Sequence, residues 1–361
     1  MTTFCSWPTG RTPMAHRSPA LRTALLIAVA ALVALPARAQ DRVGTTAAPF
    51  LTLGAGARGQ ALGHAYAAEA RGGDALFWNP AGASRRVGST SGSVFLTQHE
   101  WIADIQYNAV GVTIPFGGGG GVIGLSLANV DYGRDEVRTE ANPDGTGETF
   151  GANDLSFGLT YARPLTESFY FGGTAKLVRQ SIWDMSATGY AMDLGISLDT
   201  GFNGLILAAS IQNFGTKMQM SGVNAQQFVD IDEDLGGNNE NVTAELDMDR
   251  WDMPLSFRFG VSAPVVRTAG VELRLLADAQ QTNDNLLNAD FGGLISYNIA
   301  AFDFELRGGY KDAFVEEVDN HLSFGGGVRA EVGTIAIGVD VAYLPFNLLG
   351  NSKLVDLRLD F

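Results

Sequence analysis

The sequence predicts an all-β protein, a transmembrane antiparallel β-barrel, on three observations. Residues 353–361 alternate between apolar and charged side chains with a period of two. The same alternation recurs along most of the chain, and the chain begins with a short apolar stretch typical of an export signal. A strand with one apolar and one charged face needs different surroundings on its two sides. An outer-membrane barrel provides lipid outside and water inside.

Residues 1–39 are predicted to form a secretory signal peptide. They carry four arginines, no acidic residue and an apolar stretch over 24–35, which is too short for a stable membrane-spanning helix. The triplet 37–39, Ala-Arg-Ala, provides a cleavage site before Gln40, and the alternative interpretation is an N-terminal membrane anchor. Because the only cysteine, Cys5, lies in this leader, no disulfide or thiolate chemistry is predicted for the exported chain.

The charge of the chain argues against nucleic acid as a partner. The chain has 24 Lys and Arg against 39 Asp and Glu, a net charge of −15, and loss of the leader would remove further positive charge. An acidic surface repels the phosphates of nucleic acid. No apolar run of about 18 residues follows the leader, so no transmembrane helix is predicted.

Fourteen segments show the alternating pattern. In residues 302–307, for example, Phe and Leu alternate with Asp, Glu and Arg. Such charges would be costly in the core of a soluble sandwich but cost little in a hydrated lumen. The charged positions predicted to face inward are Asp303, Glu305, Arg307, Asp340, Asp356, Arg358 and Asp360. The predicted strands are 91–98, 104–116, 121–131, 152–163, 168–180, 188–199, 203–213, 254–264, 270–280, 287–299, 301–311, 320–330, 333–343 and 352–361.

The connections between these segments predict the topology. Those after even-numbered strands are short, whereas those after odd-numbered strands include the long segments 132–151 and 214–253. Short periplasmic turns and long extracellular loops are typical of outer-membrane barrels. The predicted organisation is a signal peptide (1–39), a hatch segment (40–88) and a barrel (89–361). The hatch is expected to fold into the lumen or across its periplasmic mouth, with a short helix over 61–70.

Several motifs resemble those of a known family. The stretch 74–82, Asp-Ala-Leu-Phe-Trp-Asn-Pro-Ala-Gly, resembles the NPAG-type element in the hatch of FadL-like outer-membrane transporters. The wider pattern over 53–80, the stretch 211–218 and the stretch 254–258 are similar to the PorV/PorQ family. That family has fourteen-stranded FadL-like barrels with a hatch and is associated in some bacteria with type IX secretion. PorV-like members receive or shuttle cargo that bears a C-terminal sorting domain, and PorQ-like members help to attach it.

The resemblance implies a non-enzymatic outer-membrane protein that binds or shuttles exported protein cargo in secretion or surface attachment. Its partners would be outer-membrane lipid, the barrel-assembly machinery, and secretion components or exported cargo proteins. The alternative is a FadL-like channel for hydrophobic or amphipathic small molecules. A channel needs a continuous apolar pocket, whereas a shuttle needs a plugged barrel and an exposed docking surface on its loops. The charged inner positions argue against an apolar conduit along that part of the wall.

The candidate site residues fall in the hatch and in the long acidic loop. Proline at position 80 makes a rigid bend after Asn79, which is either a gate element or a structural corner. The hatch or gate candidates are Asp74, Trp78, Asn79, Pro80 and Gly82. The acidic loop 214–253 is a candidate partner surface. The partner-loop candidates are Asn213, Lys217, Met218, Asp230, Asp232 and Asp234. The spacing of these three aspartates resembles a calcium loop, but Leu235 stands where glycine is required, so no metal is predicted.

No cofactor and no catalytic site are predicted. Residues 54–59 match the pattern GxGxxG, but a dinucleotide site would need a βαβ unit around them. We interpret these glycines as positions where the hatch backbone turns and approaches the barrel wall. His99 and His321 are predicted near the extracellular rim, and a dyad built on them is the remaining enzymatic alternative.

The aromatic residue at the C terminus, Phe361, is predicted to be an assembly signal, since its position resembles the terminal aromatic by which outer-membrane proteins are recognised for insertion. Deletion of Phe361 is expected to lower the amount of folded protein in the outer membrane, measured by heat-modifiable migration on gels. Phe361→Tyr, which keeps an aromatic ring, serves as the control and should assemble normally. Normal assembly of the deletion variant would contradict this role.

Overall fold

The structure, a computed structural model, describes residues 44–85, 92–116, 121–229, 242–315, 320–346 and 350–361. The chain forms a closed antiparallel barrel of fourteen strands, which confirms the predicted fold class. The predicted signal peptide lies outside the described residues. No helix of the described part is long and apolar enough to cross a membrane.

Each strand pairs with the next along the chain, and the last strand pairs with the first. In that closing pair, Ser93 lies opposite Asp360 and Glu100 lies opposite Lys353. The strands are β1 (Ser93–Glu100), β2 (Gln106–Phe116), β3 (Gly121–Glu136), β4 (Thr149–Pro164), β5 (Phe169–Ile182), β6 (Met185–Asp199), β7 (Ile206–Gly215), β8 (Ser256–Arg267), β9 (Val271–Thr282), β10 (Asn288–Ile299), β11 (Phe302–Tyr310), β12 (Leu322–Val332), β13 (Ile335–Phe346) and β14 (Gly350–Asp360).

The two ends of the barrel differ in their connections. One end carries the long segments 137–148 and 216–255, and we call it the loop end. The opposite end, the turn end, carries short connections such as 165–168 and 268–270. Within 216–255, Met218–Gln219 pairs with Arg250–Trp251, and Gln226–Val229 pairs with Val242–Glu245. Another short piece, Ser221–Gly222, pairs with β6. The loop end therefore has ordered structure above the strands.

The period-two pattern sorts side chains between the outside and the lumen. On β13, the outward Val339 and Val341 are 47% and 49% exposed, whereas the inward Asp340 is 3% exposed. This arrangement is the reverse of a soluble protein and suits a lipid surrounding. Most of the charged positions predicted to face inward are indeed buried inside the barrel: Arg307, Asp340, Asp356, Arg358 and Asp360.

The described part of the hatch, residues 44–85, lies inside the lumen and runs along its length. At the loop end, the backbone N–H of Ala47 donates to the carbonyl of Asp252 at 2.8 Å. At the turn end, Arg85 forms an ion pair with Asp199, the last residue of β6, at 2.8 Å. The hatch has two short helices, α1 (Ala57–Ala61) and α2 (Ala75–Trp78), and two 3-10 turns, Pro49–Thr52 and Pro80–Ser84.

The predicted helix over 61–70 is wrong. Helix α1 ends at Ala61, and the next residues form turns. Gly63 and His64 have φ angles of +63° and +70°, which lie in the left-handed region and are incompatible with a right-handed helix. The alanine-rich composition of this stretch favours a helix locally, but packing against the barrel wall imposes a sharp turn.

Inward-facing glycines of the strands let the hatch approach the wall closely. A Cβ atom at Gly195 of β6 would lie 2.8 Å from Pro80 Cδ. A Cβ atom at Gly309 of β11 would overlap the backbone of Leu62 and Gly63. The next residue along the chain towards the N terminus, Gly308, faces outward with no atom within 4 Å of its Cβ position.

These neighbouring glycines make a matched pair. Gly309→Ala is expected to displace the turn at Gly63 and to lower the free energy of unfolding by about 1–3 kcal/mol, the usual cost of overpacking. Gly308→Ala adds the same methyl group to open space and is expected to leave stability unchanged or slightly raised. Urea unfolding in detergent, followed by tryptophan fluorescence, measures both values. Equal stabilities for the two variants would contradict the close contact at Gly309.

Candidate functional site: the hatch and the lumen

Trp78 is the centre of the hatch. Its side chain is buried, and its Nε1 donates a hydrogen bond to the carbonyl of Ala55 at 2.7 Å. The rings of His64 and Tyr66 meet the indole edge to face, with centroids 5.3 and 5.7 Å away. The guanidinium of Arg258, from β8, lies 5.2 Å from the centroid of the indole ring. Trp78 thus contacts the hatch at Ala55 and at the turn that contains His64 and Tyr66, and it contacts strand β8 of the wall.

The glycines of the 54–59 motif make room for aromatic rings. A Cβ atom at Gly54 would lie 2.6 Å from Cη2 of Trp78, and one at Gly59 would also overlap the indole. At Gly56, whose φ is +98°, a Cβ atom would lie 2.8 Å from the ring of Phe95 on β1. Gly56 therefore lets the hatch approach the wall, as expected from the sequence, whereas Gly54 and Gly59 make room for Trp78 within the hatch, which was not expected.

The Asn79–Pro80 corner fastens the hatch to β6. The Oδ1 atom of Asn79 accepts a hydrogen bond from the N–H of Ala81 at the start of the 3-10 turn. Its Nδ2 atom donates to the carbonyl of Ala67 at 3.2 Å and to the carbonyl of Ile196, in β6, at 3.1 Å. Asn79 is completely buried, so one side chain satisfies three backbone groups at the corner.

Asp74 and Gly82 complete the set of hatch candidates. The Oδ2 atom of Asp74 accepts hydrogen bonds from the Tyr66 hydroxyl at 2.7 Å and from Nη2 of Arg358, on β14, at 3.1 Å. Burial and the charge of Asp74 raise the pKa of the Tyr66 hydroxyl above its ordinary value, so this hydroxyl remains a donor. A Cβ atom at Gly82 would overlap the carbonyl of Ala70, which explains a glycine there.

Buried ion pairs bind the hatch to the last strands of the barrel. Asp340 of β13 lies between three arginines, at 2.7 Å from Arg307, 3.4 Å from Arg358 and 3.4 Å from Arg58 of helix α1. Arg58 also pairs with Glu305 of β11 at 2.9 Å. Removing one partner of a buried pair typically costs about 3–5 kcal/mol, because the other charge is left uncompensated. We call Asp340, its three arginines and Glu305 the Asp340 cluster.

Glu69 forms a second link, towards the turn end. It pairs with Arg274 of β9 at 2.6 Å and with Arg71 at 3.0 Å, and it accepts a hydrogen bond from Ser262 of β8 at 2.6 Å. Burial opposes its charge, but the two arginines outweigh burial and hold the pKa of Glu69 below its usual range. The carboxylate is therefore ionised at neutral pH and helps to fix residues 69–71 to the wall.

The lumen has one side that is mainly apolar and one side that is rich in buried charges. Buried charges also occur on the mainly apolar side, at Asp154 of β4 and in the Lys176–Asp193 ion pair between β5 and β6 at 2.6 Å. The apolar side is formed by the hatch and by β1, β2, β3, β5 and β6, with two methionines of the 216–255 connection. Its principal residues are Phe50, Leu51, Leu53, Phe77, Phe95, Tyr107, Val130, Val178, Met218 and Met253. The charged side is formed by β9 to β14. Its buried charged residues are Asp278, Asp290, Arg307, Asp340, Asp356, Arg358 and Asp360.

A methionine-lined cavity opens at the loop end of the apolar side. Its volume is about 290 Å³, and its wall combines Met218, Met220, Met248 and Trp251 with the polar side chains of Thr46, Gln180 and Asp249. Met218 also belongs to the apolar cluster of the lumen, so the cavity adjoins that cluster directly. Methionine is flexible and polarizable, and it suits surfaces that adapt to different apolar ligands. We call this space the methionine cavity.

The partner-loop candidates lie in different places. Asn213 is buried in β7, at a bulge opposite Asp193, and its backbone N–H donates to that carboxylate at 2.8 Å. Met218 is buried in the apolar side of the lumen. Lys217 is exposed and pairs with Asp252 at 3.0 Å. Asp230, Asp232 and Asp234 lie outside the described residues.

The two histidines of the enzymatic alternative have separate partners. Nε2 of His99 lies 2.6 Å from Oγ of Ser352, in a buried contact between β1 and β14. Nδ1 of His321 bonds the carbonyl of Lys311, and the imidazole stacks on Tyr310. Within the described ranges, no group of three or more His, Cys, Asp and Glu side chains is placed to hold a metal ion.

Sequence reasoning missed the methionine cavity and the division of the lumen. A signal for the cavity was present, because six of the eight methionines fall between residues 185 and 253. The division of the lumen was also visible in part, since the charged inner positions identified from the pattern all lie in β11, β13 and β14. Most contacts between hatch and wall join residues more than 100 positions apart, such as Asn79 with Ile196 and Asp74 with Arg358, and no local pattern indicates them.

Comparison with known proteins identifies the fold. No family model and no curated protein matches the sequence. Among solved structures, the chain resembles the CymD monoaromatic hydrocarbon channel, with a TM-score of 0.57 at 12% identity. It also resembles the toluene transporters TodX of Pseudomonas putida (TM-score 0.54, 12% identity) and TbuX of Ralstonia pickettii (TM-score 0.52, 13% identity). Each match covers 85% of this chain and 97% of the other.

The chain therefore has the fold of FadL-like outer-membrane barrels. This agrees with the broader part of the resemblance seen in the sequence. The finer assignment to the PorV/PorQ family is not confirmed by these matches.

Trp78→Ala tests whether the indole holds the hatch in place. The substitution is expected to lower the free energy of unfolding by about 3–5 kcal/mol, because the cavity left by the indole is surrounded by hatch segments that cannot move together to fill it. Single-channel recording in planar bilayers should then show larger or more frequent conductance than the wild-type protein. Trp183→Ala, in the exposed turn between β5 and β6, is the control. Identical recordings for Trp78→Ala and the control would contradict the anchoring role.

Proposed function

We propose that this protein is an outer-membrane channel that passes small hydrophobic molecules along the apolar side of its lumen. The observation that carries the proposal is the direct contact between the methionine cavity and the apolar cluster. Met218 lines the cavity and packs in the same cluster as Phe95, deep in the barrel. An apolar molecule that enters at the loop end would therefore meet methionine and aromatic side chains from the rim to the hatch, beside the polar Gln180 and Asp249 at the rim.

The size of the cavity indicates the class of molecule. A cavity of about 150 Å³ lined by apolar side chains is enough to bind benzene. The methionine cavity, at about 290 Å³, would hold a monoaromatic hydrocarbon or a short aliphatic molecule. The shared fold supports this proposal, since the similar structures are described as hydrocarbon channels and toluene transporters.

Passage would require the hatch to move on its apolar side. Phe77, on helix α2, packs against Phe95 of β1 with ring centroids 6.0 Å apart. It is followed by Trp78 and by the Asn79–Pro80 corner, so a shift of α2 would pull on both. On the opposite side, the Asp340 cluster fixes helix α1. We propose that α2 and its corner act as the gate, a movement that would break the hydrogen bonds of Asn79 to Ile196 and of Arg358 to Asp74, while α1 remains fixed.

Cargo binding, expected from the PorV/PorQ resemblance, is a second candidate function. One observation favours it, namely exposed apolar side chains on the 216–255 connection. Phe228 is 74% exposed, and Val223, Leu246 and Trp251 are also exposed. A pull-down from native membranes that recovers secretion components or exported proteins would support this candidate. A small apolar ligand that co-purifies inside the barrel would support the channel.

Met248→Lys tests the channel directly. A second charged group in the wall, beside Asp249, would make the cavity more polar and should disfavour an apolar ligand, so uptake of labelled toluene is expected to fall about tenfold. Uptake is measured in cells that express the protein, with heat-modifiable migration to confirm equal amounts of folded barrel. Leu246→Lys, on the same connection but outside the cavity wall, is the matched control. Equal uptake by both variants would contradict entry through the methionine cavity.

A further inference from the structure

The charged side of the lumen contains a cavity of its own, which we call the arginine chamber. Its volume is about 210 Å³. Five arginines line it: Arg58, Arg71, Arg307, Arg329 and Arg358. The carboxylates in its wall are Glu69, Asp303 and Glu305. Arginines therefore exceed carboxylates along the wall, although the chain as a whole carries a net charge of −15.

The carboxylates of the wall are already occupied by arginines. Glu305 is paired with Arg58 and with Arg307, in both cases through Oε2. Asp303 is paired with Arg329 at 3.4 Å. Both oxygens of Glu69 are engaged, by Arg274 and Ser262 on one side and by Arg71 on the other, as described above. These groups are therefore held in ion pairs and are poor candidates to receive a ligand.

The arginines, by contrast, keep unused donors. Nη1 of Arg307 and Nε of Arg358 are buried without a hydrogen-bond partner, and so is Nε of Arg71. Arg307 and Arg358 are 5% and 3% exposed. A buried N–H that lacks a partner costs about 1–3 kcal/mol. Nη2 of each of these two arginines pairs with Asp340, and Nη2 of Arg358 also pairs with Asp74 at 3.1 Å, which restrains the orientation of their guanidinium groups.

We propose that the arginine chamber binds a small oxyanion of the phosphate or carboxylate class. Oxygen atoms of such an anion would accept hydrogen bonds from the unused donors, and charge-assisted bonds from arginine are roughly twice as strong as neutral ones. Leu62 and Leu294 also line the chamber, so the oxyanion is either free in solution or the head of an amphiphile. This site lies on the opposite side of the lumen from the apolar path and does not depend on it.

The anion would enter from the turn end. Arg71 also lines a larger cavity, of about 800 Å³, whose wall includes residues of the short turns, Thr166 and Gly201. Towards the loop end, the hatch turn at Leu62 and Gly63 is pressed against β10 and β11, where a Cβ atom at Gly63 would lie 2.7 Å from the backbone nitrogen of Tyr310. That contact separates the chamber from the loop end.

Calorimetric titration of the mature protein in an uncharged detergent tests the proposal. Sodium phosphate is one probe, hexyl phosphate is the second, and sodium chloride maintains the ionic strength. Wild-type protein is expected to show saturable binding. Arg307→Gln and Arg71→Gln remove unused donors and should weaken binding at least about tenfold. Arg267→Gln is the matched control, because Arg267 is exposed at the turn end, pairs with Glu272 and lies outside the chamber.

The two probes distinguish the source of the oxyanion. Equal affinity for both would identify a free anion as the ligand, whereas saturation by hexyl phosphate alone would identify the head of an amphiphile. If Arg307→Gln does not fold, Arg71→Gln decides, since Arg71 is partly exposed and Glu69 keeps Arg274 as a partner. The proposal is overturned if neither probe binds saturably to wild-type protein, or if Arg267→Gln loses as much affinity as Arg71→Gln.

Discussion

The rest of the structure depends on the buried ion pairs between the hatch and the wall. Asp340 lies within ion-pair distance of three arginines, one of them from helix α1 of the hatch. Charges buried in this way are stable only when every partner is in place. The hatch therefore cannot leave the charged side of the lumen without exposing uncompensated arginines and carboxylates. By fixing α1, the Asp340 cluster also determines where the remainder of the hatch meets the apolar side.

Because charged and apolar residues concentrate on different sides of the lumen, one barrel can contain both buried ion pairs and an apolar path, which the sequence alone suggested were incompatible. The charged inner residues argued against an apolar conduit, but most of them lie in the strands near the C terminus. Asp154 and the Lys176–Asp193 pair are the exceptions among the described residues of the earlier strands. The strands near the N terminus present small or apolar side chains to Phe77 and its neighbours. Ion pairs need exact partners and hold one conformation, whereas apolar contacts and methionines adapt to several. A rigid side and an adaptable side can thus coexist in one barrel.

Much of the fold could be predicted because a barrel wall is built from local rules. Side chains alternate with a period of two, and an outward apolar face is visible wherever lipid is the surrounding. The fourteen strands, their order and the unequal loops followed from that pattern. The hatch was less predictable. Its alanines favoured a helix over 61–70, but contact with Gly309 and Tyr310 placed Gly63 and His64 in left-handed conformations instead. The hatch motif from Asp74 to Gly82 could be recognised in the sequence, but the wall residues that contact it could not.

The sequence by itself determined the fold class, the alternation of inward-facing and outward-facing side chains in the barrel wall, and the stretch of hatch that contains Trp78. The tertiary structure alone decided which charges meet. Asp74 and Arg358 are 284 residues apart, yet they form one hydrogen bond inside the lumen. The physical reason is closure, since the last strand pairs with the first and brings the end of the chain to the hatch. A periodic pattern records which face a residue occupies, but only the closed ring determines what lies across the lumen from it.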